Sequence, residues 1–411
     1  MYKVQLVRRF PSLSTLARAC LCAALLAGVL GITSALAATP KPEPYLVEDI
    51  HPGIGGSEPY YLTAVGNTLF FVAIDETHGD ELWRSDGTEA GTEMVKDIFP
   101  GVNGSQVIFM TATTDALFFG ARDETHGTEL WRSNGTEAGT ELVKDIRTGV
   151  SDSLSTYYFT RWLAIDNTLF FVASDGITGF ELWRSNGAEE NTVLVKDIYP
   201  DASDSNPMNL IDVNGVILFS ANDPGHGFEL WRSDGTAENT VLVKDIYPGG
   251  MSSEMSYYSE GWTVVNHTAF FIATDGISGI ELWRSDGTAE GTVLVKDINP
   301  GYYGSVPSSI INLGGRLFFT AENAAYGEEL WQSDGTEAGT ELVKDIYPGS
   351  EGARPRFLTN VNGRLFFSAT NFDYYYNSFL ASQQVEAVPE VPFGVELWSL
   401  RYLIYVPLVV K

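Results

Sequence analysis

Carboxylates are the commonest reactive groups in this 411-residue chain, which carries 53 Asp and Glu against 25 Lys and Arg, with five histidines and two cysteines. Asp75, Asp123, Asp175, Asp223 and Asp275 each stand six residues before a Glu-Leu-Trp triplet and ahead of a glycine. A carboxylate among loop carbonyls suits Ca²⁺, a hard cation that takes about six to eight oxygens, so these five are calcium candidates. Their spacing matches no EF-hand or nonapeptide pattern, and a side-chain-capped turn explains them equally well. His78, His126 and His226 share one repeat position, which Thr178, Ser278 and Tyr326 fill elsewhere, so no metal-ligand spacing is present. There is no Gly-x-Ser-x-Gly elbow, and with so many acids, pairs at glycosidase distance arise by chance. No catalytic set is predicted.

Residues that break the regularity of the chain are better guides to binding. Tyr157, Tyr158, Tyr257 and Tyr258 occupy stretches lengthened by four residues before Trp162 and Trp262, and Tyr374, Tyr375 and Tyr376 lie in a still longer insertion. Tyrosine offers a large, rigid contact area at small entropic cost, and loops on a rigid scaffold commonly carry binding. These seven tyrosines are the candidate ligand-binding residues.

The regularity itself is a repeat. Glu-Leu-Trp occurs seven times, beginning at Glu81, Glu129, Glu181, Glu229, Glu281, Glu329 and Glu396, and six copies run on through a Ser-Asp/Asn-Gly turn into Val-Lys-Asp-Ile. Each period of roughly 50 residues holds four strand-like runs, in the second copy Val107 to Thr111, Ala116 to Gly120, Glu129 to Ser133 and Glu141 to Ile146. Pairs such as Asn214-Gly215 and Asn362-Gly363 supply the positive φ of a tight hairpin between the first two runs. Four short antiparallel strands per repeat predict an all-β fold, a seven-bladed β-propeller. Strand parity puts the links between second and third runs, and those between repeats, on one face of the disc. Every insertion falls on that face.

The motif residues then read as structure. One tryptophan per repeat, Trp83, Trp131, Trp183, Trp231, Trp283, Trp331 and Trp398, suits packing between blades, and the Leu-Phe-Phe runs suit strands covered on both sides. Glu81 and Lys96 are separated by a spacing that recurs in six copies, and a regular hairpin pairing Ser85 with Thr92 predicts that they stand opposite each other across two strands.

Leu46 to Ile50 resembles a fourth strand with no repeat in front of it, whereas the last Glu-Leu-Trp has no fourth strand behind it. The expectation is that Leu46 to Ile50 closes the ring by completing the seventh blade, with Arg356 to Val361, Arg364 to Ala369 and Val395 to Leu400. Glu48, where the other copies have lysine, departs from the pattern. The tail, residues 401–411, is an alternative closing strand.

Residues 1–37 read as a secretory leader, with cations ahead of an apolar run and Ala35 and Ala37 at the cleavage positions. Both cysteines lie inside it. The mature chain, with the propeller over residues 38–400, is predicted to lack disulfides and a transmembrane span. Its acidity disfavours nucleic acid as a partner.

The Glu-Leu-Trp-x-x-Asp-Gly-Thr pattern resembles the ELWxxDGT-repeat proteins of bacteria, over nearly all of residues 45 to 400. Asn134 and Asn186 depart from the motif aspartate and Ala188 from its threonine. The resemblance implies a secreted β-propeller-type repeat protein without a shared activity. The expected function is therefore that of a secreted, monomeric, non-enzymatic propeller binding a glycan, polymer or surface protein through the insertion-bearing face. A polysaccharide hydrolase or lyase, or a purely structural envelope module, is the alternative.

Overall fold

The computed structural model describes residues 43–155, 162–253, 261–370 and 395–401, the last of these chiefly by its backbone. Residues 1–42, with the segment read as a leader, the tail beyond Arg401 and all seven candidate tyrosines lie outside the described residues. The architecture is all-β. In blade 1 the strands Tyr60–Val65, Thr68–Asp75, Gly79–Ser85 and Glu93–Lys96 hydrogen-bond in chain order, and each pairing is antiparallel. Five more four-stranded sheets repeat this order, and a seventh holds Arg356–Val361, Arg364–Thr370 and Val395–Arg401. Short helical turns are formed by Glu89–Gly91 and Glu189–Asn191, and among the described residues no helix is long and apolar enough to cross a membrane.

Local chemistry accounts for the hairpins. Asn214 and Gly215 have φ of 57° and 80°, and Asn362 and Gly363 have 51° and 76°, the double positive φ of a turn whose twist matches its strands. On the other side of the blade, Asp86 Oδ1 accepts hydrogen bonds from the Thr88 backbone N–H and hydroxyl, Thr88 Oγ1 accepts from the Gly91 N–H, and the Ser85 and Thr92 hydroxyls meet at 2.7 Å. The Ser-Asp-Gly-Thr string is thus a self-capped turn.

The sheets are stacked in series, the first strand of each lying against the first strand of the next from blade 1 to blade 7. Between blades 1 and 2, Phe70, Val72, Leu82, Val95 and Ile98 pack on Leu117, Phe119, Ala121 and Trp131, and the same set recurs at the later junctions. Burying one such large side chain contributes on the order of 2 to 3 kcal/mol. Trp131, Trp183, Trp231, Trp283 and Trp331 all sit in these junctions, and Trp162 and Trp262 are also packing residues, against Phe171 and Phe271.

One expectation is corrected. Glu81 and Lys96 do not face each other: Trp83 pairs with Met94 but Leu82 pairs with Lys96, so a β-bulge at Val95 shifts the register by one residue. The glutamate therefore turns inward, and the lysine reaches across the junction. Lys96, Lys144, Lys196, Lys244 and Lys296 each donate from Nζ to the backbone carbonyl of Thr140, Thr192, Thr240, Thr292 or Thr340 in the following blade, at 2.6 to 2.9 Å. Residues 46–50 carry no strand, Leu46 is 77% exposed, and the seventh sheet holds three strands. The segment carries Glu48 at the lysine position, and a carboxylate has no proton to donate to a carbonyl.

The two ends of the array differ from its middle accordingly. Leu69 is 36% exposed whereas its counterparts Leu117 and Leu169 are fully buried, and Leu62 and Val361 are 62% and 47% exposed. The apolar faces that other blades press together are only partly covered on blades 1 and 7.

Candidate functional site

The repeated glutamate is the best-built polar centre in the molecule. Glu81 Oε2 accepts hydrogen bonds from the Ile98 backbone N–H at 3.2 Å and the Ser105 hydroxyl at 2.7 Å, and its Oε1 accepts from the Phe99 N–H at 3.1 Å. Glu129, Glu181, Glu229 and Glu281 repeat this arrangement with donors from the end of the fourth strand, and Ser153, Ser205 and Ser305 supply the hydroxyl in three of them. In the sixth blade Ala353 stands at the serine position and donates only its backbone N–H to Glu329. Each of these carboxylates is sealed from solvent. The serine also joins the neighbouring blade, since the Ser105 carbonyl accepts from the Arg122 N–H. One side chain thereby fastens its own third strand, its own fourth strand and the crossing to the next blade. Groups so enclosed and bonded to the backbone are structural clamps, not exposed acids or bases, although Glu329, lacking the serine, keeps Oε2 without a hydrogen bond among the described residues.

Burial pushes the Glu81, Glu129, Glu181, Glu229 and Glu281 carboxyls up to about 7, against the hydrogen bonds that favour ionisation. Because the unfolded chain ionises first, near pH 4.5, stability from these groups is complete below that value and is lost as pH rises to about 7. His78, His126 and His226, raised by their hydrogen bonds to Asp75, Asp123 and Asp223, act in the same direction as pH rises above the ordinary imidazole value. Asp75 opposes them: burial raises it, but hydrogen bonds from His78 and Thr77 bring it to about 2, so its contribution is lost below about pH 4. The expected result is a melting temperature highest near pH 5 and lower at pH 8. A melting temperature that rises steadily from pH 5 to 8 would contradict it.

The calcium candidates are turn caps. Asp75 Oδ1 accepts from the Thr77 N–H at 2.8 Å and the His78 N–H at 2.6 Å, and Asp123, Asp175, Asp223 and Asp275 bind the corresponding N–H groups of their own turns. They stand one to a blade, and among the described residues no cluster of three His, Cys, Asp or Glu side chains is placed to hold a metal. These residues do not fit a shell of oxygens around one cation.

The face carrying the insertions is defined by backbone bonds. The Ser105 N–H donates to the Asp80 carbonyl, so the link between blades lies beside the turn before the third strand, as Ser153 and Thr128 show again in blade 2. Close approach requires Gly79, at φ +69°, where a Cβ would come within 2.5 Å of the Gly104 nitrogen. The lengthened stretches start from this face, next to Ser153, Ser253 and Thr370. Sequence reasoning missed the clamp serines and the lysine bridges. Their signal was present in the fixed spacing of Ser105, Ser153, Ser205, Ser253 and Ser305 behind the motif glutamates.

The fold and its clamps define a repeat protein of propeller type, in which the motif residues are spent on architecture. No family model matches the chain, and no curated protein matches it. Among solved structures it is similar to a prolyl endopeptidase (10% identity, TM-score 0.42, covering 76% of this chain and 46% of that one). It is also similar to a puromycin-hydrolysing peptidase of Mycobacterium tuberculosis (11%, TM-score 0.39, 77% and 49%) and to BamB from Moraxella catarrhalis (11%, TM-score 0.38, 78% and 81%). The chain spans about half the length of the two peptidases.

Proposed function

We propose that this is an exported, monomeric, non-enzymatic propeller of the ELWxxDGT-repeat type, which binds a glycan, polymer or surface protein through the insertion-bearing face. The observation that carries the reading is the division of labour between residues. The glutamate, tryptophan, lysine and serine of each repeat are consumed by clamps and junctions, whereas the lengthened, tyrosine-bearing stretches all depart from one face. Rigid scaffold and variable loops are the usual separation in a binding protein. The test is binding of the full chain to arrayed glycans and to extracted envelope proteins, before and after Tyr157, Tyr158, Tyr257, Tyr258, Tyr374, Tyr375 and Tyr376 are replaced by alanine. Loss of a captured ligand at unchanged melting temperature is expected. Retention of every ligand by the variant would remove the site from this face.

The reading includes a closed ring. Val47-Glu48-Asp49-Ile50 aligns with Val95-Lys96-Asp97-Ile98, and Ser57 aligns with Ser105. What supports closure is that the Ser57 carbonyl accepts from the Ile74 N–H at 2.9 Å, as the Ser105 carbonyl does from Arg122, and that Glu396 pairs with Ala369 as Glu81 pairs with Ala73. A closed ring would make residues 50, 51 and 57 the counterparts of the clamp donors 98, 99 and 105 for the seventh motif glutamate, with Glu48 unable to form the lysine bridge of the other junctions. The energies of Ser57 and Glu396 are coupled on this reading.

A further inference from the structure

We infer a second binding site, for a neutral oligosaccharide, in a cleft on the opposite face between blades 2 and 3. This goes beyond the reading above, because it uses other residues on the other side of the disc. The cleft has a volume of about 330 Å³, is open to solvent, and is lined by the turns of both blades. Asp115, Asn134, Asn167, Asn186, Arg132 and Glu141 supply its polar groups, and Phe118 an apolar patch of its wall.

The argument rests on where the repeat breaks. At the motif aspartate, blades 1, 4, 5 and 6 have Asp86, Asp234, Asp286 and Asp334, and only blades 2 and 3 have asparagine. Both exceptions, Asn134 and Asn186, line this one cleft. The substitution leaves the turn intact. Asn134 Oδ1 accepts from the Thr136 N–H at 3.0 Å and from its hydroxyl at 2.7 Å, and Asn186 Oδ1 accepts from the Ala188 N–H at 3.1 Å, as the aspartates do elsewhere. What changes is the other end of the side chain. An aspartate would present a second anionic oxygen; asparagine presents an uncharged NH₂ with two donors.

The remaining polar groups complement those donors. Asn167 Nδ2 donates to Asp115 Oδ2 at 3.1 Å, tying the first turns of the two blades together and leaving the other Asp115 oxygen as an acceptor. The Arg132 guanidinium is held by Glu141, through Nε at 2.8 Å and Nη2 at 2.5 Å, so its charge is matched within the cleft. In a chain of net charge −28 this is a place where carboxylates were exchanged for amides. Interleaved donors and acceptors beside a small apolar patch suit the hydroxyls and C–H faces of a sugar, and nothing there offers an uncompensated cation to an anionic ligand.

The test uses the full chain and a panel of neutral oligosaccharides covering α-glucans, β-glucans, mannans, xylans and galactans. Asn134→Asp and Asn186→Asp, together, restore the residue of the other blades and therefore keep the fold. Wild type is expected to bind at least one of these sugars, and the double variant to bind it about tenfold or more weakly, at unchanged melting temperature. The alanine variant of the seven tyrosines is expected to bind it as wild type does. The proposal is overturned if wild type binds none of the panel, if the double variant binds equally well, or if the tyrosine variant alone loses binding.

Discussion

Glu181→Ala is expected to destabilise the protein by about 3 to 5 kcal/mol, enough to consume much of the stability of an ordinary domain. Glu181 accepts four hydrogen bonds, from the Ile198, Tyr199 and Ser205 backbone N–H groups and from the Ser205 hydroxyl. Alanine leaves all four donors in a site sealed from water, and an unpaired buried donor costs about 1 to 3 kcal/mol. The total falls below a simple sum because the ionised or half-ionised carboxyl also carries a desolvation cost that is relieved on removal. Glu181→Gln is the milder change, since its carbonyl retains one acceptor while its NH₂ meets donors. Denaturant unfolding of the two variants checks the order: alanine well below glutamine, and glutamine below wild type. Equal stability of all three would show that the motif glutamate is not a clamp.

The second large effect belongs to the junction tryptophans. Trp183→Ala is expected to cost about 3 to 5 kcal/mol, because the indole fills the space between Phe118, Leu130, Val143 and Ile146 of blade 2 and Leu169 and Phe171 of its own blade. Its Nε1 makes no hydrogen bond among the described residues, so the loss is one of packing and buried area. Trp83→Ala provides the contrast. Trp83 lies on the face of blade 1 where Leu69 remains 36% exposed, and a substitution there is expected to cost less than half as much. Thermal or denaturant unfolding distinguishes the two. Equal losses at Trp83 and Trp183 would mean that the face of blade 1 turned away from blade 2 is as well packed as the junctions between blades.

The sequence made the blades legible because their determinants are local. Four short strand-like runs to a period marked the strands, Asn-Gly and Asp-Gly-Thr the turns, and one tryptophan per period a junction. The pairing of glutamate with lysine was misread because a β-bulge is a single inserted residue, invisible to a count that assumes regular pairing. With Val95 bulged, Glu81 and Lys96 part company, one to an internal clamp and the other to Thr140 of the next blade. The clamp serine was overlooked for a different reason. Its partner lies across a loop, and Ser105 takes its meaning only once that loop is known to fold back on Glu81. The candidate site divides similarly. The aspartates at positions 75, 123, 175, 223 and 275 read equally as calcium ligands or turn caps until the folded turns placed backbone N–H groups on them, and the cleft between blades 2 and 3 depends on Asn134 and Asn186, which are neighbours only in the folded array.

A double-mutant cycle on Ser57→Ala and Glu396→Gln, read by equilibrium unfolding, tests most directly whether the repeat closes on itself. The account predicts a coupling of about 1 kcal/mol or more between these two positions, 339 residues apart in sequence, and simple additivity between Ser57→Ala and Glu81→Gln as a control. Additive effects of Ser57 and Glu396 would contradict the shared seventh clamp and leave the array open.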